Sequence, residues 1–464
     1  MSTIINSYFT NINQNSIILV MKTFHTKFTQ GGFMNLSIVG FILIAIIMYV
    51  LIADKMAPPV AFILIPLIAV FIAGASIEEV SEYVKAGLGS ILNTAVLFMF
   101  SISFFTLMSE QGLFDPIVDF VLKRVGKNVT AIFIAVLVVA CVGHLDGSGA
   151  STYLITIPAF KPIMDRLKVK PTSFLGTIIA MMAVMNIIPW GGPTLRAASV
   201  AQVEVYDLYS FIFPAVGAMM LIAIGIAVLN SRLHRRGADA VDLTEDLFLT
   251  DQEKEAPTSK GLFYYNLAIT LGVLILLFID LGFPMHFVFM VGYALAILGN
   301  YRSSKEQNKS IKLYGDNAIV MTMTLFSVGI FVGIVTGSGM IDSMANTIIS
   351  LLPDSISPHL HWFMSLFSVP LIIVLGTDAF YFAILPIVIG VVEPFGISAQ
   401  TVAATFLITG TWGTYISPSV AANYVGIGLA GTTIGEHIKR NLPIMWAASI
   451  LTLILATILG AVQF

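Results

Sequence analysis

Residues 186–196 read Asn-Ile-Ile-Pro-Trp-Gly-Gly-Pro-Thr-Leu-Arg and interrupt a long apolar run. Pro189 has no backbone N–H and disrupts the helix that precedes it. Gly191 and Gly192 provide flexible backbone, and Pro193 suits the first turn of a new helix. The stretch therefore predicts one helix that ends, a short irregular connection, and a second helix whose positive end faces the break.

Arg196 lies one turn inside that second helix. A charge in such apolar surroundings is costly and needs an anionic partner. Because a guanidinium group can hold a carboxylate through two parallel hydrogen bonds, we expect Arg196 to bind an anionic ligand. A structural ion pair with Asp146 is the alternative. A matching break at residues 411–419 reads Thr-Trp-Gly-Thr-Tyr-Ile-Ser-Pro-Ser and contains no arginine.

The composition places both breaks in a membrane. Of the 464 residues, 57% are hydrophobic and only 11% are charged, whereas about 25% are charged in soluble proteins. This excludes a soluble enzyme, a nucleic-acid binder and a disordered protein. A membrane helix needs about 20 mostly apolar residues. The predicted spans are residues 36–53, 58–74, 88–110, 171–189, 209–231, 262–282, 284–300, 316–336, 398–416 and 441–463.

Two further apolar stretches, residues 129–165 and 357–395, are too long for one span and are interrupted near their middles by Gly, Ser, Thr and Asp. We predict that both are re-entrant hairpins, since irregular backbone at membrane depth is tolerated only where protein or water covers it. Hydroxyl side chains at the tips can cap the returning helices, and helix N-termini attract anions.

Each hairpin tip also carries a carboxylate, Asp146 in the first and Asp378 in the second. A carboxylate at membrane depth serves as a proton carrier or as a cation ligand, and the sequence does not distinguish the two roles. His144 can relay protons or can be structural, and Trp190 and Trp412 are expected to pack around the site.

The chain resembles itself at shifts of 227 to 229 residues, where residues 111–115, 153–158 and 188–189 align with 338–342, 381–386 and 417–418. Each half then holds five spans and one hairpin. Because five is odd, the halves must be inverted relative to each other, which is the pattern of secondary transporters. The predicted fold is an all-α polytopic membrane protein. The predicted segments are a disordered tail at 1–33, a first repeat at 34–231, a cytoplasmic linker at 232–260 and a second repeat at 261–464.

The lysines and arginines fix the orientation. With both termini outside, 19 of them lie in the cytoplasm, three lie outside, and Arg196 remains in the membrane. The opposite orientation would reverse this bias, so the positive-inside rule decides between them.

Four motifs resemble the citrate–divalent-metal–proton symporter family (CitMHS): LDGSGAST at 145–152, MNIIPWGGPTLRAAS at 185–199, LGTDAFYFAILP at 375–386 and ISPSVAANYVGIGLAG at 416–431. The resemblance covers nearly the whole chain from about residue 34. It implies plasma-membrane uptake of citrate as a complex with a divalent metal, Mg²⁺ or Ca²⁺, driven by protons and without a permanently bound cofactor.

The layout is more distantly similar to the sodium-coupled dicarboxylate transporters. Those carry Ser-Asn-Thr at each tip, where this chain has aspartates. The wider superfamily implies a homodimer with an elevator-type moving transport domain.

The candidate binding residues follow from the breaks and the motifs. For substrate they are Gly147, Ser148, Gly149, Ser151, Thr152, Asn186, Gly191, Gly192, Thr194, Arg196, Thr377, Thr411, Gly413, Thr414, Ser417 and Ser419. Asp146 and Asp378 are the candidates for proton or cation coupling. The metal is expected to be held through citrate, with Asp378 as a possible direct contact.

A sodium-coupled di- or tricarboxylate symporter and a related proton-coupled organic-anion carrier remain alternatives. Two membrane aspartates also suit an intramembrane protease, but their place in hairpin tips beside helix ends favours a carrier.

Cysteine labelling tests the predicted orientation. In a Cys141→Ala background, a cysteine at position 245 in the linker should react with a membrane-impermeant maleimide only after the cells are permeabilised. A cysteine at position 85, which is predicted to lie outside, is the matched control and should react in intact cells. Labelling of position 245 in intact cells would refute the orientation.

Overall fold

The computed structural model describes residues 35–53, 55–124, 128–238, 259–278, 283–353 and 355–464, and this part of the chain is helical without strands. The first-half helices are α1 (Leu36–Ile52), α2 (Pro58–Ile72), α3 (Ile77–Glu110), α4 (Asp115–Arg124), α5 (Val129–Gly143), α6 (Gly149–Arg166), α7 (Pro171–Met185), α8 (Gly192–Ala201) and α9 (Val205–Ala238). The second-half helices are α10 (Lys260–Phe278), α11 (Met285–Asn300), α12 (Ser304–Gly337), α13 (Met340–Leu351), α14 (Leu360–Ser365), α15 (Ser368–Ala379), α16 (Leu385–Val392), α17 (Ala399–Thr414), α18 (Ala422–Ala430) and α19 (Ile434–Ile458).

The two longest equivalent helices, α3 and α12, begin with the same capping motif. The Ser76 hydroxyl accepts from the Glu79 N–H while the Glu79 carboxylate accepts from the Ser76 N–H. Ser303 and Glu306 form the same reciprocal pair 227 residues later. Such a box satisfies two of the N–H groups that a helix start leaves free. Both helices therefore start at fixed points, and each is 34 residues long.

Helices α3 and α12 cross each other in opposite directions. Tyr83 of α3 contacts Gly337 and Gly333 of α12, and Gly87 contacts Gly333 and Gly329. As the residue number rises along α3, the number of its partner on α12 falls, so the helices are antiparallel. Inverted repeats require this arrangement of equivalent helices.

The starts of α3 and α12 differ in charge. The first turns of α3 carry Glu78, Glu79 and Glu82, whereas those of α12 carry Lys305 and Lys309 on either side of Glu306. The positive-inside rule counts lysine and arginine, so it predicts a cytoplasmic position for the start of α12.

Each of the ten predicted spans corresponds to a helix. Six helical segments of the described chain are long and apolar enough to cross a membrane: Ile77–Glu110, Val205–His234, Lys260–Leu277, Ala318–Gly337, Ser368–Phe395 and Ile434–Ile458. The apolar helices α1, α2, α5, α7 and α11 are shorter. Helix α9 runs to Ala238, seven residues into the predicted linker, and residues 1–34 and 239–258 lie outside the described chain.

The segment Ser368–Phe395 has the length of a span, but the contacts show that it doubles back. Gly376 leaves the helical region with φ at 79°. Helix α16 packs against α14 and against the short 3-10 turn at residues 357–359. A straight helix would separate residues 360 and 388 by about 42 Å at 1.5 Å per residue. Residues 357–395 therefore form a hairpin, here called hairpin 2, and α5 with α6 form hairpin 1.

The helices form two groups. In the first, α12 packs on α3 and α2, α11 packs on α3 and α10, and α1 packs on α2. The second group contains both hairpins together with α7, α8, α9, α17, α18 and α19. Helix α13 joins the groups, since it contacts both α1 and α16. The two interrupted helices lie in the second group.

The glycine contact between α3 and α12 predicts a matched pair of stability effects. A Cβ at Gly333 would collide with the backbone of Tyr83 and Gly87, whereas a Cβ at Gly272 on α10 would meet open space. We expect Gly333→Ala to destabilise the fold by about 1–3 kcal/mol, as other overpacked sites do. Gly272→Ala should be neutral or slightly stabilising. Equal melting temperatures of the two purified variants would contradict this packing.

Candidate functional site

Hairpin 1 turns through a tight loop of polar groups. The Asp146 carboxylate accepts a hydrogen bond of 2.8 Å from the Ser148 N–H, and Gly147 between them has a φ of 70°. Ser148 then caps α6, because its hydroxyl accepts from the Ser151 N–H at 3.4 Å. The Thr152 hydroxyl donates to the Ser148 carbonyl at 2.8 Å. The expectation that hydroxyl residues open the returning helix is confirmed for hairpin 1, whereas the returning arm of hairpin 2 has no side-chain cap.

The two aspartates do not occupy equivalent positions. Asp146 precedes its left-handed glycine by one residue and is only 3% exposed. Asp378 follows Gly376 by two residues, beside Thr377 in the first turn of the returning segment, and its side chain is 26% exposed. The second tip therefore carries an acid, as the sequence indicates, but at a different position relative to its left-handed glycine. Asp146 accepts from the backbone of its turn, whereas Asp378 is partly exposed.

The first break, residues 186–191, is closed by its own side chains. Asn186 ends α7, and its carbonyl accepts from the Thr194 hydroxyl on α8 at 3.1 Å. Helix α8 begins with the predicted Gly192-Pro193 pair and has Gly191 as its N-cap. A Cβ at Gly192 would lie 2.8 Å from Nη1 of Arg196, so this glycine leaves room for the guanidinium group.

The second break, residues 415–421, uses the same device with different residues. The Asn423 amide on α18 donates to the Ser417 carbonyl at 2.7 Å. The Ser417 hydroxyl donates to the Ile372 carbonyl of hairpin 2 at 3.1 Å and lies 2.8 Å from the Ser419 hydroxyl. Gly413, near the end of α17, lies against α15 of hairpin 2.

Each hairpin packs against the interrupted helix of the opposite half. Helix α18 lies along α6 of hairpin 1, and α8 lies along the returning arm of hairpin 2. At the tips, Gly149 touches the Tyr415 ring, and Gly376 touches Ser419. The Trp190 indole donates to the Leu145 carbonyl at 2.7 Å. Both tips and both breaks therefore meet in one region.

Arg196 and Asp378 form an ion pair across this region. The Arg196 Nε lies 2.9 Å from Oδ1 of Asp378, and the arginine side chain is 12% exposed. The sequence suggested Asp146 as the structural partner of Arg196. This alternative is wrong, because the opposite halves interlock and bring Arg196 of the first half to Asp378 of the second. The second break itself contains no arginine.

His144 connects three elements of the site. Its Nδ1 lies 2.6 Å from the Thr152 hydroxyl of hairpin 1, and its Nε2 lies 3.1 Å from Oδ1 of Asn186 at the first break. The Tyr415 hydroxyl of the second break lies 3.5 Å from the same Nε2. The tautomer decides these roles. With the proton on Nε2, the imidazole donates to Asn186 and accepts the Thr152 hydroxyl proton, which then does not reach the Ser148 carbonyl; with the proton on Nδ1, the imidazole donates to Thr152 and the hydroxyl keeps its bond to Ser148.

Several buried polar atoms of the hairpins and interrupted helices have no hydrogen-bond partner within the described chain, among them the hydroxyls of Tyr381, Thr411 and Thr414 and the Nδ2 of Asn186. Thr411 and Thr414 are candidate substrate-binding residues from the sequence. Tyr381 stands out in the sequence only as a member of the internal repeat. Buried hydroxyls without partners cost free energy, so this region suits a polar ligand or ordered water. Trp190 packs beside the tip of hairpin 1, whereas Trp412 turns away and donates to Thr452 on α19.

Sequence reasoning did not select Tyr415, although it lies at the centre of the His144 contacts. The residue lies one position after the end of α17, inside a motif rich in glycine and hydroxyls. No periodicity or charge marks it. Only the packing of α17 against hairpin 1 shows its place.

The fold is similar to that of a structure already solved. The crystal structure of the Alcanivorax borkumensis YdaH transporter matches with a TM-score of 0.56 and 15% sequence identity, covering 81% of this chain and 87% of that one. At this identity the likeness shows the fold alone.

The chain belongs to the citrate transporter family CitMHS, whose model matches residues 47–410. A citrate transporter of Bacillus subtilis strain 168 is 31% identical over 92% of this chain and 100% of its own length. The Mg(2+)/citrate complex secondary transporter of the same strain is 28% identical over 92% of this chain and 99% of its own. These relatives are transporters rather than enzymes. The resemblance inferred from the four motifs is confirmed.

Replacing His144 tests its connecting role. His144→Phe keeps the ring but leaves the buried Oδ1 of Asn186 without its partner, which costs about 1–3 kcal/mol. We expect a lower melting temperature for the detergent-purified variant. His286→Phe, in a half-buried position near the start of α11, is the control and should melt like the unmodified protein. Equal melting temperatures for both variants would exclude a connecting role for His144.

Proposed function

We propose that this protein takes up citrate as a complex with a divalent metal ion, Mg²⁺ or Ca²⁺, and uses protons as the coupling ion. Membership of the citrate transporter family and similarity to a Mg²⁺/citrate transporter support the substrate. The observation that carries the proposal is Arg196, a partly buried arginine where both hairpins and both breaks meet. It supplies the bidentate donor that a carboxylate requires.

The surrounding residues form the rest of the proposed substrate site. The N-termini of α6 and α8 and the hydroxyls of Ser148, Ser151, Thr377 and Ser419 provide donors for carboxylate oxygens. Thr411 and Thr414 have buried hydroxyls without partners in the described chain. Thr152, Asn186, Thr194 and Ser417 are positioning residues, because their hydrogen bonds hold the tips and breaks together. Gly147, Gly149, Gly191, Gly192 and Gly413 allow the close approaches of the backbone.

Proton coupling follows from charge arithmetic. Citrate with three ionised carboxylates and one divalent cation carries one net negative charge. Moving that charge into a negative cell costs about 2.3 kcal/mol per 100 mV. One proton cancels this cost, and a second makes uptake electrically favourable. Asp146 and Asp378 are the proposed carriers of these protons.

The grouping of helices supports an elevator-type movement. The group that contains the hairpins and breaks would move as the transport domain against the group formed by α1–α3 and α10–α12. We also propose a homodimer in the plasma membrane with both termini outside, with the first 33 residues as a tail and the segment after α9 as a cytoplasmic linker.

Uptake into proteoliposomes tests the proposal. Radiolabelled citrate should accumulate when Mg²⁺ or Ca²⁺ is present and the outside is acidic, and a sodium gradient should not replace the pH gradient. Arg196→Lys keeps the charge but loses the planar fork, so we expect uptake to fall about tenfold or more, which corresponds to roughly 1.4 kcal/mol. Accumulation driven by sodium alone would favour a sodium-coupled carboxylate symporter instead.

A matched control and an exchange assay complete the test. Arg166→Lys, at the end of α6 and outside the site, should transport like the unmodified protein. Counterflow at equal pH separates coupling from binding, because a variant that lacks only a proton carrier still exchanges substrate. Full pH-driven accumulation by both Asp146→Asn and Asp378→Asn would refute a coupling role for the two acids.

A further inference from the structure

We infer that Asp378 makes the site selective for the metal-bound form of the tricarboxylate and against the free anion, through its ion pair with Arg196. The inference rests on the proposed function and names the residue that would enforce the metal requirement. It requires Asp378 to be ionised while the ligand binds, so a proton that Asp378 carries must be bound at another stage of the cycle.

The pair is placed where a ligand can reach it. Asp378 is 26% exposed and Arg196 is 12% exposed, whereas the other acid of the site, Asp146, is 3% exposed and bound to the Ser148 N–H. Asp378 is fixed by the left-handed Gly376 before it, and Arg196 by the first turn of α8. The accessible part of the site thus offers one fixed cation and one fixed anion.

A pair of opposite charges discriminates between the two forms of the ligand. Asp378 contacts Nε of Arg196, so a ligand carboxylate that binds this guanidinium group lies beside Asp378 or displaces it. If the ligand is free citrate, the carboxylate of Asp378 faces the remaining carboxylates of the ligand, and the like charges repel. If the ligand carries a divalent metal, Asp378 faces the positive part of the complex. The metal then changes repulsion into attraction.

In the described part of the chain, no cluster of three or more His, Cys, Asp or Glu side chains suits a metal ion. One carboxylate alone does not complete the six to eight oxygen ligands of Ca²⁺ or the octahedron of Mg²⁺. Under the proposed function, citrate supplies most of the remaining ligands. This agrees with Asp378 contacting a preformed complex rather than a resident ion.

Binding of radiolabelled citrate to the purified protein tests the inference. Affinity is measured with excess MgCl₂ and, separately, with EDTA and no added metal. The unmodified protein should prefer the magnesium complex. In Asp378→Asn, loss of the negative charge should weaken binding of the complex and strengthen binding of free citrate, so the ratio of the two affinities should fall by about tenfold or more. Asp378→Glu keeps the charge and should keep the preference.

The controls separate this inference from the proposed function. Asp165→Asn removes the carboxylate of an exposed ion pair with Lys161 on α6 and should leave the ratio unchanged. If the unmodified protein binds neither form, the proposed function fails. If it binds the complex, and folded Asp378→Asn either keeps the same preference or binds neither form, the pair is a structural contact only and the inference is overturned. If the asparagine variant does not fold, Asp378→Ser replaces it, and the ratio of its affinities for the magnesium complex and for free citrate is judged in the same way.

Discussion

Unpaired backbone groups inside an apolar protein constrain this fold more than any other feature. Each interrupted helix exposes N–H and C=O groups that lipid cannot satisfy. Here each interruption is closed by a side chain from the next helix or from a neighbouring element. Thr194 donates to the Asn186 carbonyl, Asn423 donates to the Ser417 carbonyl, and Ser417 donates in turn to Ile372 of hairpin 2. Each break therefore needs hydrogen-bond partners from its neighbours. Because of this requirement, the breaks and the hairpins lie together in one region.

This mutual closure explains why the site combines a symmetric backbone with asymmetric charges. The packing of α18 along α6 repeats in the packing of α8 along hairpin 2, and the helix starts at Ser76 and Ser303 repeat to the residue. Backbone groups must be satisfied in both halves, so the devices that satisfy them recur. Charged side chains face no such requirement. Arg196 has no equivalent on α18, and its acidic partner comes from the opposite half.

The sequence predicted what depends on composition and on local backbone chemistry. The helix breaks after Asn186 and before Gly192 follow from proline and glycine alone, and all ten predicted spans have helices. The sequence did not predict contacts between distant elements. The tip register differs by three residues between Asp146 and Asp378, and no local pattern indicates it. The partner of Arg196 depends on how the two halves interlock, which periodicity does not encode. The position of Tyr415 between hairpin 1 and His144 has the same origin.

The ion pair also limits when hairpin 2 can leave α8. Separating the partly buried Arg196 from Asp378 breaks their ion pair, and breaking fully buried pairs costs about 3–5 kcal/mol. Because Arg196 and Asp378 are partly exposed, the cost here lies below that range. It is removed altogether if another carboxylate takes the place of Asp378 and a cation takes the place of Arg196. A metal–carboxylate complex supplies both charges at once, whereas a free anion or a free cation supplies one. The Arg196–Asp378 pair joins hairpin 2 to α8 in the absence of ligand. The free energy needed to separate the two side chains is therefore lowest when the ligand carries both a negative and a positive charge.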